Sequence, residues 1–363
     1  MTIPKNNVKL IFITNICKRI GVYQKFVFIF YLYINIIQRG YCMAEWKNGI
    51  AKITLPTPFP VGDVNVYVIK GERLTLVDAG VNTEAAREVF NNELQELGLT
   101  PKDIEQIVLT HHHIDHIGLL EYLSPDLEVY GHPFNNRWLE QSEQFLKEQR
   151  QFFYKMFTEF GVPDEFLPLI RLLKKQFKYS SKRSLSGILV EGDIPKGLSE
   201  WRVIETPGHA QSHIGLLREK DGTYIAGDHL LAHISPNPLI EPPLPGSMER
   251  PKSQLQYNDA LKKLLHYPIN LVYTGHGDEI TNVPELVEKR LNRQHQRAMM
   301  VKKWLETEAL TVFEICKRLF PKVYKRELML TLSETVAQTD YLASIEEINI
   351  DSKNGALSYM VKS

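Results

Sequence analysis

The sequence lacks the features that mark several classes of protein. It has three cysteines in 363 residues, too few for a disulfide framework. Only Cys316 lies beyond residue 42, which fits a reducing compartment, so we expect a cytoplasmic protein. Lysine plus arginine number 43, as do aspartate plus glutamate, so the formal net charge is zero. That balance disfavours a whole surface that binds nucleic acid, although it leaves a local basic patch open.

The first 42 residues contain no aspartate or glutamate and differ from the rest of the chain. Five basic residues precede an apolar run from Phe26 to Ile37. This run is shorter than the roughly 20 residues of a membrane-spanning helix, although its length suits a signal-peptide core. No small-residue cleavage site follows it. We interpret residues 1–42 as an extension upstream of a true initiator at Met43. The alternative is an uncleaved leader or membrane anchor.

From Met43 onward, short apolar runs alternate with helical patterns. The helical patterns cover 137–149, 151–160 and 166–177, with Gly161-Val162-Pro163 as a break. Strands and helices interspersed in this way indicate an α/β protein whose helices cover its sheets. Runs rich in β-branched residues predict strands at Val64–Ile69, Leu74–Asp78, Ile107–Thr110, Val203–Thr206, Ile214–Leu217, Tyr224–Ala226 and Leu271–Thr274.

The last part of the chain has a different character. A polar helix is predicted from Pro284 to Glu306, and Thr311 with Glu314 forms a capping box that opens another helix. A third helix follows, and Asn354-Gly355 between two alternating runs predicts a hairpin. Three helices and a terminal hairpin suggest a small winged-helix-like domain over residues 285–363.

Charge is unevenly distributed within this C-terminal domain. Residues 285–326 carry eleven basic and five acidic residues, whereas residues 327–351 carry six acidic residues. A basic helix is usually a solvated face, and binding to RNA needs a continuous patch that faces phosphates. We therefore expect docking between domains or a homodimer, and RNA binding is the alternative.

Side chains able to bind a metal are concentrated directly after one predicted strand. The segment Thr110-His-His-His-Ile-Asp-His116 places imidazole and carboxylate groups at 111, 113, 115 and 116. Alternate residues of an extended chain point the same way, so His111 and His113 can converge on one ion. Asp115 and His116 lie past a turn and can converge on a second. Nitrogen and oxygen donors of this kind suit zinc, with iron or manganese as alternatives.

Three further ligand candidates follow later strands. His209 comes after Thr206-Pro-Gly, Asp228 after Ala226-Gly, and His276 after Thr274-Gly. Each turn is a weak signal alone, but together they complete a set of seven candidate ligands.

These motifs resemble those of the metallo-β-lactamase-fold hydrolases. The family pattern His-x-His-x-Asp-His falls on 111–116, its later ligands fall on 209, 228 and 276, and Val77-Asp78-Ala79-Gly80 resembles an early family motif. The resemblance covers residues 43–277, within a catalytic domain expected over residues 43–284, and implies an αββα sandwich. It implies that His111, His113 and His209 bind one metal, that Asp115, His116 and His276 bind the other, and that Asp228 bridges them.

The resemblance also implies a mechanism. A water bridging two divalent cations would lose a proton and attack an electrophilic carbonyl. Asp115 is the candidate catalytic residue, as a proton acceptor, and Asp78 would orient a ligand histidine. The ligand set contains no cysteine, which disfavours the antibiotic-degrading branch, and His113 disfavours the di-iron redox branch. A small thioester, ester or lactone is the expected substrate, and a ribonuclease of the same family is the alternative.

The helical block 137–178 is an insertion between the first ligand cluster and His209. Its aromatic residues either pack it onto the sandwich or form a hydrophobic lid over the metals that selects a substrate with an apolar portion. The weak candidates for contact with substrate are Phe152, Phe153, Phe157 and, on another segment, His233.

Overall fold

A computed structural model describes residues 44–353 and 355–362. The interpretations of residues 1–42 as an extension, leader or anchor lie outside this range. In the part of the chain that the structure describes, no helix is both long and apolar enough to cross a membrane.

Two β-sheets form the centre of the fold. One has the strand order β1-β2-β3-β4-β5-β6, with antiparallel pairs up to β3 and parallel pairs from β3 onward. The other has the order β10-β9-β8-β7. The strands of the first sheet are β1 (Ile50–Leu55), β2 (Val64–Lys70), β3 (Leu74–Val77), β4 (Gln106–Leu109), β5 (Glu128–Gly131) and β6 (Gly187–Ile188), and those of the second are β7 (Trp201–Glu205), β8 (Ile214–Arg218), β9 (Thr223–Gly227) and β10 (Leu271–Thr274).

The two sheets pack face to face. Tyr67 and Val108 from the first sheet share a buried core with Val203, Leu216 and Tyr273 from the second. Each sheet is therefore covered on its inner face by the other, and the strand residues are almost entirely buried. The strands predicted from the sequence are confirmed to within about two residues at each end.

Helices cover the outer faces and complete an αββα sandwich, as predicted. The first helix places Phe90 and Leu94 on the first sheet, and a later one places Tyr257 and Leu261 on the second. The helices are α1 (Glu84–Glu96), α2 (Ile114–Ile117), α3 (Asn136–Glu140), α4 (Glu143–Glu159), α5 (Pro168–Gln176), α6 (Ser253–Leu264), α7 (Val283–Leu305), α8 (Val312–Leu319) and α9 (Leu328–Ser344).

The helical block after β5 differs from its prediction in where it breaks. Gln141 adopts a left-handed conformation (φ 49°), and the side chain of Ser142 caps the next helix by accepting from Phe145 N–H. α3 therefore ends at Glu140, and α4 runs unbroken through Arg150, where the sequence pattern had suggested an interruption. A good N-cap side chain outweighs helical periodicity at this point.

The C-terminal part contains three helices and a small sheet. Thr311 and Glu314 form the predicted capping box of α8. The predicted hairpin is present, and its second strand also pairs with a short strand that precedes α8. The strands are β11 (Leu310–Thr311), β12 (Ile348–Lys353) and β13 (Ala356–Val361). The winged-helix-like description and the boundary at residues 284 and 285 stay predictions.

The insertion packs mainly against this C-terminal part. Phe157 and Phe160 of the α4 region share one buried core with Val301, Ile315 and Leu332 from α7, α8 and α9. We call this the C-terminal core. Neither alternative for the insertion, packing onto the sandwich or a lid over the metals, included this shared core, because an amphipathic helix pattern shows which face is buried but not what covers it.

Candidate metal centre

The candidate ligands all lie at strand ends along one edge of the sandwich. β4 leads into His111 and His113, and the short helix α2 then carries Asp115 and His116. The other ligands follow β7, β9 and β10. β9 and β10 are parallel, and β7 runs in the same direction because two antiparallel pairings separate it from β9. The carboxyl ends of these strands therefore meet at the same edge.

Three histidines form the first potential metal site. The ligand atoms of His111, His113 and His209 lie within 4.8 Å of one another. Nε2 of His111 is 2.9 Å from Nδ1 of His113, and the ring of His113 is edge-on to that of His209 with centroids 4.6 Å apart. Three imidazoles so close together offer a three-nitrogen site for a divalent cation.

Asp228 joins this site to a second one. Its Oδ2 lies 3.5 Å from Nε2 of His209 and 3.4 Å from Nε2 of His276, and its Oδ1 lies 3.4 Å from Nε2 of His116. Asp115, His116 and His276 form another group whose ligand atoms lie within 4.8 Å of one another. The structure thus brings all seven predicted ligands together, with one carboxylate between two sets of three.

The candidate donors fit metal ions because several of them make no hydrogen bond within the described residues. Nε2 of His116, His209 and His276 and Oδ1 of Asp228 are buried atoms without a hydrogen bond. Buried polar atoms normally have hydrogen-bond partners, so four such atoms that converge on one space suit a cation. The residues present therefore suit a pair of divalent metals.

The other ring nitrogen of each of these histidines is held by an oxygen. Nδ1 of His116 donates to Asp78 Oδ2 at 2.8 Å. Nδ1 of His209 donates to the carbonyl of Asn237 at 2.8 Å, and Nδ1 of His276 to the carbonyl of Asp63 at 2.7 Å. Partners of this kind fix the ring and its tautomer, so that Nε2 is left available to a metal.

Asp78 occupies the position at which the sequence predicted an orienting carboxylate. It adopts a left-handed conformation (φ 63°) directly after β3, which aspartate tolerates better than most residues. Its Oδ1 accepts from the backbone N–H of Thr110 at 2.7 Å, and its Oδ2 accepts from the Thr110 hydroxyl at 2.8 Å. Asp78 therefore ties the end of β4 to the orientation of His116.

Burial sets the protonation of the first histidine set. It lowers the pKa of His111 and of His113 well below the usual value, and neighbouring histidines lower both further. Both rings are therefore neutral at physiological pH, which is the form that binds metal.

The second set differs in the pKa of His276. Burial opposes the charged form of His276, but Asp228 and Asp115 outweigh burial and raise the pKa to about 10.

Two residues of the site were not identified from the sequence. His213 is buried, accepts from the Asp228 backbone N–H at 3.1 Å through Nε2, and contacts the Thr206 hydroxyl at 2.8 Å through Nδ1. A Cβ on Gly275 would overlap Oδ1 of Asp228. Neither role had a signal beyond residue type, because both depend on contacts between segments distant in sequence.

A buried polar cluster lies beside the first site. The ring of His112 stacks on Trp138 with centroids 4.3 Å apart and planes at 4°, and its Nδ1 is 2.7 Å from the Ser212 hydroxyl. Glu241 accepts from Arg137 at 3.2 Å and from the backbone N–H of Gln211 at 2.7 Å. His112 is therefore a packed structural histidine, and its contacts attach α3 to the ligand loops.

Three of the four residues predicted to contact substrate lie in or against the C-terminal core. Phe157 is fully buried and Phe153 nearly so, both within the C-terminal core, and Phe152 is partly buried against it. Packing in that core leaves Phe153 and Phe157 without a surface for a substrate, which corrects their assignment to a lid. The His233 side chain is 73% exposed, and its Nε2 is 2.7 Å from Asp278. Asp278 follows His276 by two residues, so His233 lies at the rim of the site.

The similarities of the chain to known proteins agree with this geometry. Residues 59–276 match the family model of the metallo-beta-lactamase superfamily. The chain is 43% identical over 301 residues to a Bacillus subtilis protein named probable metallo-hydrolase YqjP, across 83% of this chain and 94% of the relative. A crystal structure of a metallo-beta-lactamase family protein from Thermus thermophilus superposes with a TM-score of 0.74 and 26% identity, covering 87% of this chain and 99% of the other. A more distant relative is the atrochrysone carboxyl ACP thioesterase of Passalora fulva, with 23% identity over 68% of this chain and 58% of its own length.

Proposed function

The chain belongs to the metallo-β-lactamase superfamily and is a metal-dependent hydrolase, and we propose that it works with two zinc ions on a small thioester, ester or lactone. The observation that carries the proposal is the position of Asp228. Its carboxylate lies within 3.5 Å of Nε2 of His209 from one set of ligands and of Nε2 of His116 and His276 from the other. A single metal would leave one of these sets buried and unpaired.

The ligand chemistry supports zinc. Five imidazoles and two carboxylates make up the two sets, and no thiolate is among them. Imidazole nitrogen with carboxylate oxygen is a donor combination typical of zinc in hydrolases, with iron and manganese as the alternatives. When bound, two such cations lower the pKa of a water to near neutrality and polarise a carbonyl oxygen.

The chain's own residues would hold these cations and orient the ligand rings. His111, His113 and His209 would hold one cation and Asp115, His116 and His276 the other, with Asp228 shared. Asp78 and the carbonyls of Asp63 and Asn237 keep three rings in place.

Asp115 is the proposed acceptor of the proton released at the reacting centre. It is buried within the second set, and its Oδ2 is 3.5 Å from Nε2 of His276. A carboxylate at that distance from the ligand atoms is near enough to take a proton through one water.

A carbonyl substrate fits this arrangement best. Preorganised positive charge at the site of a developing oxyanion stabilises the transition state of acyl transfer. The relative from Passalora fulva is named a thioesterase, which supports the thioester among the three classes.

The test is hydrolysis of S-lactoylglutathione by the zinc-loaded protein. We expect turnover in the wild type and a loss of more than about 100-fold in His113→Ala, because a lost ligand costs more than a lost orienting partner. His266→Ala, which changes an exposed histidine outside the site, should keep wild-type activity. Removal of metal with a chelator should abolish turnover and leave the circular dichroism spectrum unchanged.

Two results would redirect the proposal. Activity retained by the metal-free protein or by His113→Ala would contradict the mechanism. No turnover in a protein that holds two metals would exclude this thioester and direct the search to lactones, other esters and then RNA.

A further inference from the structure

The segment that follows Asp228 orients a metal ligand although it has no regular structure of its own. Residues 231–252 form neither helix nor strand. Within them, the carbonyl of Asn237 accepts from Nδ1 of His209, and Leu239 N–H donates to the His209 carbonyl at 3.4 Å. The orientation of His209 therefore depends on whatever fixes this segment.

The start of the segment is fixed by α7. Arg290 is a buried residue of α7, and its Nη2 donates to the carbonyls of Leu231 at 2.8 Å and Ile234 at 2.5 Å. A guanidinium with two backbone acceptors holds the chain just after the shared ligand Asp228.

The part that contacts His209 is fixed by α9. Nδ2 of Asn237 donates to the carbonyl of Leu330 at 2.9 Å, and the N–H of Ile240 donates to the Ser333 hydroxyl at 3.2 Å. Asn237 thus contacts both the ligand His209 and the helix α9. Its backbone carbonyl orients His209, and its side chain anchors that carbonyl to α9.

We propose that Asn237 is a positioning residue through which α9 orients His209 toward its metal. The C-terminal part then contributes to the metal centre without supplying a ligand. The inference rests on the proposed function, because it takes His209 as a metal ligand.

The consequence should be confined to one of the two metal sites. His116 and His276 take their orienting oxygens from Asp78 and Asp63, which lie in the loops of the first sheet. Of these three histidines, His209 alone takes its orienting oxygen from a residue that is hydrogen-bonded to α9. Loss of an orienting partner typically lowers metal affinity 10- to 100-fold, so one site should weaken and the other should not.

The experiment compares Asn237→Asp and Asn237→Ala with wild type in cobalt(II) titrations followed by visible absorption. The aspartate keeps the size of the side chain but cannot donate to the Leu330 carbonyl. Asn270→Ala is the matched control, because Nδ2 of Asn270 also donates to a backbone carbonyl, that of Asp221 at 3.1 Å, away from the ligands. Thermal unfolding of each metal-free protein shows whether the fold itself has changed.

We expect both Asn237 variants to bind one cobalt as wild type does and the other 10- to 100-fold more weakly, with an altered spectrum for the weak site. Asn270→Ala should match wild type. Equal affinities in wild type and variants, or equal weakening of both sites, would overturn the inference. Wild type that binds no second metal would instead contradict the proposed function. If Asn237→Ala fails to fold, Ser333→Ala serves instead, because it removes the neighbouring hydrogen bond to Ile240. Ser333→Ala should weaken the same metal site selectively, by a smaller factor. Unchanged affinity at that site would also overturn the inference.

Discussion

At the scale of single residues, the candidate centre is organised by which nitrogen of each histidine is already engaged. His116, His209 and His276 each donate Nδ1 to a fixed oxygen and leave Nε2 buried without a hydrogen bond. The fixed oxygens come from a carboxylate in one case and from backbone carbonyls in two. A backbone oxygen carries no side-chain signature, so only Asp78 could be predicted from the sequence.

Gly275 is a second residue whose role is visible only in three dimensions. Gly275→Ala should lower metal content and activity at least tenfold, because the added methyl group overlaps Oδ1 of Asp228 and must displace the shared ligand. Metal analysis of the purified variant measures the effect. Gly277→Ala is the comparison, because Gly277 (φ 74°) has open space around its Cβ position and so tests backbone strain alone. Full metal occupancy in Gly275→Ala would show that Asp228 is not confined as described.

The burial of Glu241 can be tested through the pH dependence of the free energy of unfolding. Burial raises its pKa above the usual 4.5, although the Gln211 N–H and Arg137 oppose the shift. The folded state therefore keeps this proton at pH values where the unfolded chain has released it, so the contribution of Glu241 to stability falls as pH rises above about 4.5. Glu241→Gln should gain in unfolding free energy relative to wild type between pH 4.5 and 7.5, measured by urea unfolding. A relative loss over that range would mean that Arg137 dominates and that the pKa is lowered.

At the scale of secondary structure, ligand positions were predictable because polar residues directly after buried strands must emerge at a sheet edge. The seven candidate ligands follow four of the predicted strands, β4, β7, β9 and β10. The break between α3 and α4 was not predictable from periodicity, because the apolar pattern continues across Gln141. The left-handed conformation of Gln141 ends α3, and the Ser142 cap begins α4. His213 was missed for a related reason, since its partner is a backbone N–H.

The attachment of α9 to the loop before α6 allows a stability prediction. Asp340 accepts from both Nη atoms of Arg250 at 2.7 Å and from Lys252 at 3.1 Å, and its side chain is 9% exposed. Asp340→Ala should lower the free energy of unfolding by about 3 kcal/mol, because it leaves the largely buried guanidinium of Arg250 without its counter-charge. Urea unfolding of wild type and variant gives the difference.

A surface pair on α6 serves as the control for that measurement. Asp259 lies 3.6 Å from Lys262, and both side chains are largely exposed. Solvent screens such pairs, so Asp259→Ala should leave the stability almost unchanged. If the two variants lose the same stability, the pair between Arg250 and Asp340 is not the buried attachment described here.

At the scale of the whole molecule, the C-terminal part is joined to the rest of the fold by a shared core and by hydrogen bonds to the segment 231–252. It shares a core with the insertion and holds the loop that orients His209. Some basic side chains of helix α7 are also bound to groups within the protein. Arg290 binds backbone carbonyls, Arg297 pairs with Glu334, and Lys302 pairs with Glu347 at 2.5 Å. RNA binding, a homodimer and a cytoplasmic location stay predictions, but these pairs reduce the charge available for phosphates.

The central claim is that Asp228 joins two metal sites into one centre. The most direct test is the number of zinc ions bound per chain, measured by elemental analysis after loading and removal of excess metal, in wild type and in Asp228→Ala. We predict two zinc ions in wild type and at most one in the variant, with no hydrolysis by the variant. A single zinc in wild type, or two in Asp228→Ala, would contradict the claim.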